Sequence, residues 1–121
     1  MPPAATSSDA HLPLRPVEFE ILLTLATGER HGYAILQEIA ERSDGALQLE
    51  TGTMYRALRR LVDDGLVRPA ARKTTRESDD ERRRYYAITA LGARVASAEA
   101  DRMARLVATA RLARLLPHTA T

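Results

Sequence analysis

The sequence predicts a mainly α-helical domain with a small β-hairpin. Apolar residues recur at helical spacing in four separate stretches of the 121-residue chain. Between the last two stretches, short apolar segments flank a run over 72–84 that holds no apolar residue, which is typical of two strands joined by an exposed hairpin tip. A chain of this length is expected to form a single domain.

The first two helices are predicted over 16–27 and 32–42. Pro16 suits the first turn of a helix, where its missing N–H group would have no partner, and Gly28 stops the apolar pattern. The positions that repeat at helical spacing are Val17, Ile21, Leu22 and Leu25 in the first helix and Ala34 or Ile35, Leu36, Ile39 and Ala40 in the second. Residues 1–13 contain three prolines and no apolar period, so we expect a flexible N-terminal tail.

A third helix is predicted over 51–64, after a short alternating segment at 47–49 that suggests one short strand. The hydroxyls of Thr51 and Thr53 can cap backbone N–H groups at the helix start, and Gly65 ends the helix where a left-handed backbone costs little. At 100° per residue, apolar and basic residues fall on opposite sides of this helix. The apolar side holds Met54, Ala57, Leu58, Leu61 and Val62, the opposite side holds Arg56, Arg59, Arg60 and Asp63, and Tyr55 lies at the border.

Two strands are predicted at 66–68 and 85–88, followed by a long final helix over 90–116. Thr89 is a suitable N-cap for that helix, and Pro117 follows its end. Its apolar side consists of Leu91, Val95, Ala98, Met103, Leu106, Val107, Ala110 and Leu115 or Leu116. Because this stripe extends beyond what three short helices can cover, we expect a second chain to cover the rest. The predicted division is a tail over 1–13, a core domain over 14–89, the final helix over 90–116 and a second tail over 117–121.

Charge is distributed unevenly along the chain. The net charge is only +2, from 18 basic and 16 acidic residues, but residues 1–50 carry −5, residues 51–86 carry +4 and residues 87–121 carry +3. A basic middle segment behind an acidic first segment suggests a surface that faces a polyanion. The alternative is an arginine-rich face exposed only to solvent.

The composition excludes several kinds of site. The chain has no cysteine, so it has no disulfide, thiolate metal site or cysteine nucleophile. His11, His31 and His118 stand apart and none begins a metal-ligand spacing, and the carboxylate pairs lack a partner histidine, a phosphate-binding loop or a nucleophile motif. We therefore expect neither an enzyme nor a bound metal or cofactor. The apolar runs fall far short of the ~20 residues that span a bilayer, which predicts a soluble, cytoplasmic protein.

Five segments of the chain, in order, resemble the PadR-like family of transcriptional regulators. They are Glu18-Phe19-x-Ile21-Leu22, His31-Gly32-Tyr33-x-Ile35, Gly52-Thr53-Met54-Tyr55-x-x-Leu58-x-Arg60-Leu61, Gly65-Leu66-Val67 and Arg84-Tyr85-Tyr86-x-Ile88-Thr89-x-x-Gly92. The predicted order of elements is that of a winged helix-turn-helix DNA-binding domain with a long C-terminal dimerisation helix. The resemblance covers roughly residues 14–92, and the short C-terminal region is similar to that of the smaller members of the family. It implies a nucleoid-associated homodimer, usually a repressor, that binds an operator in double-stranded DNA.

A DNA-binding surface is predicted on the third helix and on the wing, residues 66–88. Arginines on an exposed helix face can lie in the major groove and contact guanine or phosphate, and the N–H groups at the helix start can contact a phosphate together with a tyrosine hydroxyl. The predicted DNA-binding residues are Thr51, Thr53, Tyr55, Arg56, Arg59 and Arg60 of the helix and Lys73, Arg76, Arg82 and Arg83 of the wing. For Tyr55, packing on the second helix is the alternative.

The wing tip also carries acidic residues, which depart from what the family pattern implies. Glu77, Asp79, Asp80 and Glu81 lie between the basic residues of the same segment. We hypothesise that the acidic portion loops away from DNA while its basic flanks touch it. The alternative is that the acids pair with the arginines until DNA competes for them.

The segment His31-Gly32-Tyr33 at the start of the second helix is expected to have a structural role. Glycine permits the turn there, and the tyrosine ring packs while its hydroxyl reaches a partner. A phosphate contact from this helix start is the alternative.

The predicted dimer interface consists of Leu91, Val95, Met103, Leu106, Val107 and Ala110. Two recognition helices one turn of DNA apart, ~34 Å, would read an inverted repeat. The alternative function is a winged-helix module that binds protein rather than DNA. A small-molecule effector of unknown identity is compatible with the resemblance, but the chain has no tryptophan on which a planar ligand would stack.

Overall fold

A computed structural model describes residues 8–70 and 84–117 of the chain. Its elements in chain order are α1 (Pro16–Leu25), β1 (Arg30–His31), α2 (Gly32–Arg42), α3 (Thr51–Asp63), β2 (Val67–Ala70), β3 (Tyr85–Ile88) and α4 (Ala90–Leu112), with a 3-10 turn, Ser8–His11, ahead of α1. The strands form one antiparallel sheet in the order β1-β3-β2. The predicted mainly helical fold with a small hairpin is confirmed.

The short strand beside the hairpin comes from a different segment than the sequence predicted. Residues 47–49 form no strand, because the N–H group of Leu47 donates to the Ser43 hydroxyl at 2.9 Å instead of pairing with a strand. The extra strand is β1, where Arg30 lies opposite Tyr86 of β3. A strand of two residues is too short to show an alternating pattern in the sequence. The residues with which it pairs also lie far along the chain.

The helix α4 ends earlier than predicted, at Leu112 rather than at 116. Arg114 adopts a left-handed backbone with φ 64°, and the Leu115 N–H donates to the Ala110 carbonyl at 2.8 Å. This is the Schellman arrangement, which satisfies carbonyls that the last helical turn leaves without a partner. Gly65, with φ +80°, ends α3 in the same way and as predicted. The helix α1 also ends before its predicted limit of 27.

The core lies where one face of each helix meets the sheet. Its buried residues on the helices are Ile21, Leu22, Leu25, Ile35, Ile39, Met54, Ala57, Leu58, Leu61, Val95 and Ala96. The predicted apolar face of α3 is therefore buried as expected. Each large aliphatic side chain removed from water contributes about 1.5–3 kcal/mol, so packing can stabilise this cysteine-free domain.

The chain ahead of α1 is attached to α4. The 3-10 turn contacts α4, and the Leu14 N–H donates to the carboxylate of Glu99 at 3.3 Å. Glu99 is fully buried, and Arg102 donates two hydrogen bonds to it at 2.7 and 2.9 Å. The flexible tail predicted over 1–13 therefore does not include the turn at 8–11, and residues 1–7 lie outside the described part of the chain.

Candidate nucleic-acid interface

The helix α3 presents arginines on the side opposite the core. Arg56 and Arg59 are exposed, whereas the side chains of Ala57 and Leu58 between them are buried. Within residues 8–70 and 84–117, neither arginine forms an ion pair with a carboxylate. Their guanidinium groups are therefore available to an external partner, as the helical periodicity predicts.

The helix α3 begins without a side-chain cap, which corrects the prediction for its threonines. Glu50 occupies the N-cap position, and its side chain makes no capping hydrogen bond. Thr51 and Thr53 lie inside the first turn, where the Thr53 hydroxyl accepts a hydrogen bond from Arg56 at 3.4 Å. Because the first N–H groups of a helix have no intrahelical partner, the exposed start at Thr51 and Gly52 can accept an anion such as a phosphate.

Arg60 differs from the other two arginines because it is bound to α1. Its Nε atom donates to Glu18 Oε2 at 2.9 Å. The Glu18 side chain is only 11% exposed, whereas that of Arg60 is 42% exposed. A carboxylate that is nearly out of water needs a cationic partner, so Arg60 stabilises the contact between α1 and α3. Arg15 also approaches this carboxylate, at 4.0 Å.

Tyr55 packs on the start of α2. A Cβ atom added to Gly32 would lie 2.2 Å from the Tyr55 hydroxyl oxygen, and that oxygen is buried. The structure thus has the packing alternative for Tyr55, and a phosphate contact would require the hydroxyl to leave this position. Gly32 provides space for the phenol rather than an unusual turn, since its φ is not positive.

His31 has the structural role expected of it, and Tyr33 does not. The Nδ1 atom of His31 accepts the Ala34 N–H at 3.1 Å and so caps α2. The imidazole meets the ring of Tyr85 edge to face, with centroids 5.5 Å apart. Tyr33 is 53% exposed, because it lies about 200° around the helix from the buried Ile35. That angle would have identified Tyr33 as a surface aromatic.

The described base of the wing carries two basic residues that the predicted set lacks. The strands β2 and β3 pair as far as Ala70 opposite Tyr85. Arg68 is exposed on β2, and Arg84 is exposed directly before β3. Their signal in the sequence was the basic charge of 51–86, which was assigned only to the helix and the wing tip. The predicted wing residues Lys73, Arg76, Arg82 and Arg83, and the acidic cluster, lie outside the described residues.

The two halves of α4 have different surroundings. Val95 is fully buried and Leu91 packs against the same core, because the first turns of α4 lie on α1 and β3. A residue buried in its own chain cannot line a surface between two chains, so Val95 is removed from the predicted dimer interface and Leu91 is assigned to core packing. The second half projects from the domain. On this half the predicted interface residues Met103, Leu106, Val107 and Ala110 all keep accessible surface.

Three further observations concern residues 8–70 and 84–117. No three metal-ligating side chains come together in it, and none of its helices is long and apolar enough to cross a membrane. The arginines that flank Met103 on α4 are already paired, Arg102 with Glu99 and Arg105 with Asp101.

These features define the class of protein. Three helices around one core, a hairpin wing beside them and a third helix with its arginines outward form a winged helix-turn-helix domain, to which α4 is attached. In this class the recognition helix lies in the major groove. The model of the transcriptional regulator PadR-like family matches residues 21–98, and the chain belongs to this family. The family consists of transcriptional regulators, not enzymes.

Three similar proteins give the extent of the likeness. An uncharacterised protein of Lysinibacillus sphaericus is 33% identical over 72 residues, which are 60% of this chain and 63% of that protein. The chain therefore spans less than two thirds of this relative. A transcriptional regulator from Clostridium thermocellum superposes with a TM-score of 0.66 at 25% identity, over 78% of this chain and 86% of that one. Bacillus subtilis PadR, solved in complex with operator DNA, superposes with a TM-score of 0.58 at 23% identity, over 90% of this chain and 51% of that one, and shares the fold.

Proposed function

We propose that this protein is a sequence-specific DNA-binding repressor that binds an inverted-repeat operator as a homodimer. The observation that carries the proposal is the orientation of α3. Arg56 and Arg59 point away from the face on which Met54, Ala57, Leu58 and Leu61 are buried, so this helix can enter a groove without any change in the core. Arg68 and Arg84 extend the basic surface onto the base of the wing.

The chemistry of these groups suits duplex DNA. Arginine can donate two parallel hydrogen bonds to O6 and N7 of guanine, a contact that contributes about 1–3 kcal/mol of discrimination between bases. The exposed start of α3 at Thr51 and Gly52 offers N–H groups to a phosphate, which positions the helix. Lys73, Arg76, Arg82 and Arg83 of the wing are proposed to bind phosphates or the minor groove beside it.

The homodimer is supported by the far half of α4. Leu106 is 57% exposed and Leu112 85% exposed, and apolar surface of this kind on a projecting helix marks an interface. A two-fold dimer through α4 presents two copies of α3 related by the same symmetry, which is the arrangement that an inverted repeat requires.

The complex of Bacillus subtilis PadR with operator DNA supports DNA as the partner of this shared fold. The repressor role is supported by the family resemblance and by sterics, since a dimer that covers a promoter excludes the polymerase. The competing function is binding to a protein instead of DNA. That function does not explain why several arginines point outward from α3 together.

A fluorescence-anisotropy titration with duplex DNA from upstream of the protein's own gene measures binding and tests this function. We expect saturable binding that an unrelated duplex does not compete away, and an affinity that falls steeply with salt as counterions are released. The double variant Arg56→Ala/Arg59→Ala should lose binding, whereas Arg111→Ala on α4 should retain it. Absence of binding, or binding insensitive to both salt and the double variant, would favour the protein-binding alternative. A promoter fusion measured with and without the protein then determines the sign of regulation.

A further inference from the structure

Four residues form a junction between the end of α3, the start of β2 and the start of α4. They are Gly65, Leu66, Thr89 and Gly92. The Thr89 hydroxyl donates to the Gly65 carbonyl at 2.7 Å and accepts the Gly92 N–H at 2.9 Å. The Thr89 N–H donates to the Leu66 carbonyl at 3.0 Å. A single threonine therefore binds the connection after α3 and the first turn of α4 at the same time.

Gly92 allows α4 to approach this junction more closely than a side chain would permit. A Cβ atom on Gly92 would lie 2.1 Å from the carbonyl oxygen of Leu66 and 2.9 Å from Cγ1 of Ile88. The first of these atoms belongs to the backbone, which cannot swing aside as the end of a long side chain can. Any substitution at Gly92 must therefore move α4 relative to β2.

Hydrogen bonding and burial also fix the junction to the end of α3. The Leu66 N–H donates to the Leu61 carbonyl at 2.9 Å, and the side chains of Leu61 and Leu66 are buried. Hydrogen bonds through the backbone of Gly65 and Leu66 and the side chain of Thr89 thus join the end of α3 directly to the start of α4.

The length of α4 amplifies any change at this point. Its 23 residues correspond to about 34 Å at 1.5 Å per residue, so a rotation of about 10° at its start displaces its far end by about 6 Å. Successive base pairs are separated by about 3.4 Å along the duplex. A rotation of this size therefore corresponds to one or two base pairs of DNA.

We propose that Thr89 and Gly92 are positioning residues that set the angle between α4 and α3, and thereby the separation of the two half-sites that one dimer accepts. The angle is a property of the single chain. The half-site separation rests on the proposed function.

Distances between spin labels test the angle directly, because the chain has no cysteine of its own. Labels at Arg59→Cys on α3 and Ala108→Cys on α4, with excess unlabelled protein to isolate distances within one chain, should give one narrow distribution. Thr89→Val, which keeps the shape but loses the hydroxyl, and Gly92→Ala should shift or broaden it by several ångströms. Should Gly92→Ala fail to fold by circular dichroism, Thr89→Val alone decides.

Two control variants separate positioning from a general loss of structure. Thr89→Ser retains the hydroxyl and should restore the original distribution. Thr109→Val removes a hydroxyl that donates within α4, to the Arg105 carbonyl at 3.2 Å, and should leave the distribution unchanged. An unchanged distribution in Thr89→Val, or an equal change in Thr109→Val, overturns the proposal.

Half-site spacing tests the second part. An operator is selected from random duplexes with the unmodified protein, and one or two base pairs are then inserted or removed at its centre. Thr89→Val should bind an isolated half-site as the unmodified protein does, but should discriminate between spacings at least tenfold less. Unaltered discrimination overturns this part. If the unmodified protein selects no operator, the proposed function fails, and the spin-label distances still decide the positioning role.

Discussion

Glu18 of α1 accepts a hydrogen bond from Nε of Arg60 across the contact between α1 and α3, at 2.9 Å. Arg56 lies one helical turn before Arg60, and Arg59 directly precedes it. Neither has a carboxylate partner in the described ranges of the chain. The three arginines of α3 therefore divide by role. Arg60 binds α3 to its own domain, and the guanidinium groups of Arg56 and Arg59 are available to an external partner.

Replacing Arg59 with alanine should weaken DNA binding without altering the fold. If Arg59 contacts a base, the loss should be about 1–3 kcal/mol, and it should relax specificity at that base. The exposed guanidinium makes no ion pair in the described residues, so the midpoint of urea unfolding should be the same in Arg59→Ala as in the unmodified protein. Anisotropy titration against single-base variants of the operator measures the effect, and uniform weakening across all of them would indicate a phosphate contact instead.

Replacing Arg60 with alanine should destabilise the fold. The nearly buried Glu18 carboxylate would lose its hydrogen-bonded cation, and because the Arg60 side chain is partly exposed we expect a cost of about 1–2 kcal/mol. Urea unfolding followed by circular dichroism measures it. Arg59→Ala is the matched control, for which a change within about 0.5 kcal/mol is expected. Equal stabilities of the two variants would contradict the structural role of Arg60.

Glu99 should make stability depend on pH. Hydrogen bonds from the Arg102 guanidinium lower the pKa of Glu99 below its ordinary 4.5, against the opposing effect of burial. Because the folded-state pKa is the lower one, this stabilisation is fully present above the unfolded value and is lost as the pH falls through the folded value. The Tm of the unmodified protein should therefore exceed that of Glu99→Gln at pH 7, and the gap should close below about pH 4.5.

The control for this pH dependence is another acidic residue of α4. Asp101 pairs with Arg105, but both side chains are largely exposed, so Asp101→Asn should change the Tm little at any pH. If the Tm of the unmodified protein and that of Glu99→Gln change in parallel between pH 7 and pH 3, the buried carboxylate does not cause the pH dependence of stability.

The two halves of α4 should respond differently to substitution. Leu106→Asp places a charge on the exposed apolar surface and should convert a dimer into a folded monomer, as measured by sedimentation over a dilution series. Val95→Ala removes buried methyl groups and should cost about 2 kcal/mol of folding stability, with the dimer retained. A Leu106→Asp protein that remains dimeric would mean that the subunits meet elsewhere.

Neutralising the acidic wing tip tests the hypothesis about its position on DNA. If Asp79, Asp80 and Glu81 loop away from the duplex, replacing them with Asn, Asn and Gln should raise affinity only modestly. A large loss of affinity would indicate that these acids take part in binding. Titrations at two salt concentrations distinguish a general charge effect from a specific one.

The sequence predicted best where burial repeats regularly. The helix α3 buries Met54, Leu58 and Leu61 on one side, so its core-facing side and the outward direction of Arg56 and Arg59 followed from a period of 3.6 residues. The glycine at its end was equally informative, because only a left-handed residue closes the helix as Gly65 does.

Other features depend on partners that are distant in sequence. The strand β1 exists only because Arg30 and His31 lie beside β3. Likewise, Val95 belongs to the same apolar stripe as Leu106, and its period does not reveal that the domain covers the first and leaves the second exposed. The Glu18–Arg60 pair joins two helices, so helical angles alone could not distinguish Arg60 from the unpaired Arg56 and Arg59.

Gly65 and Gly92 belong to the same junction, but the two positions favour glycine for different reasons. Gly65 has φ +80° with open space around its Cβ position, whereas Gly92 has no positive φ and no space. As related sequences diverge, position 65 should therefore accept asparagine, which tolerates a left-handed backbone, while position 92 should accept no larger residue. A relative that changes position 92 should also carry a compensating change near Leu66 or Ile88, and a change at position 65 should need none.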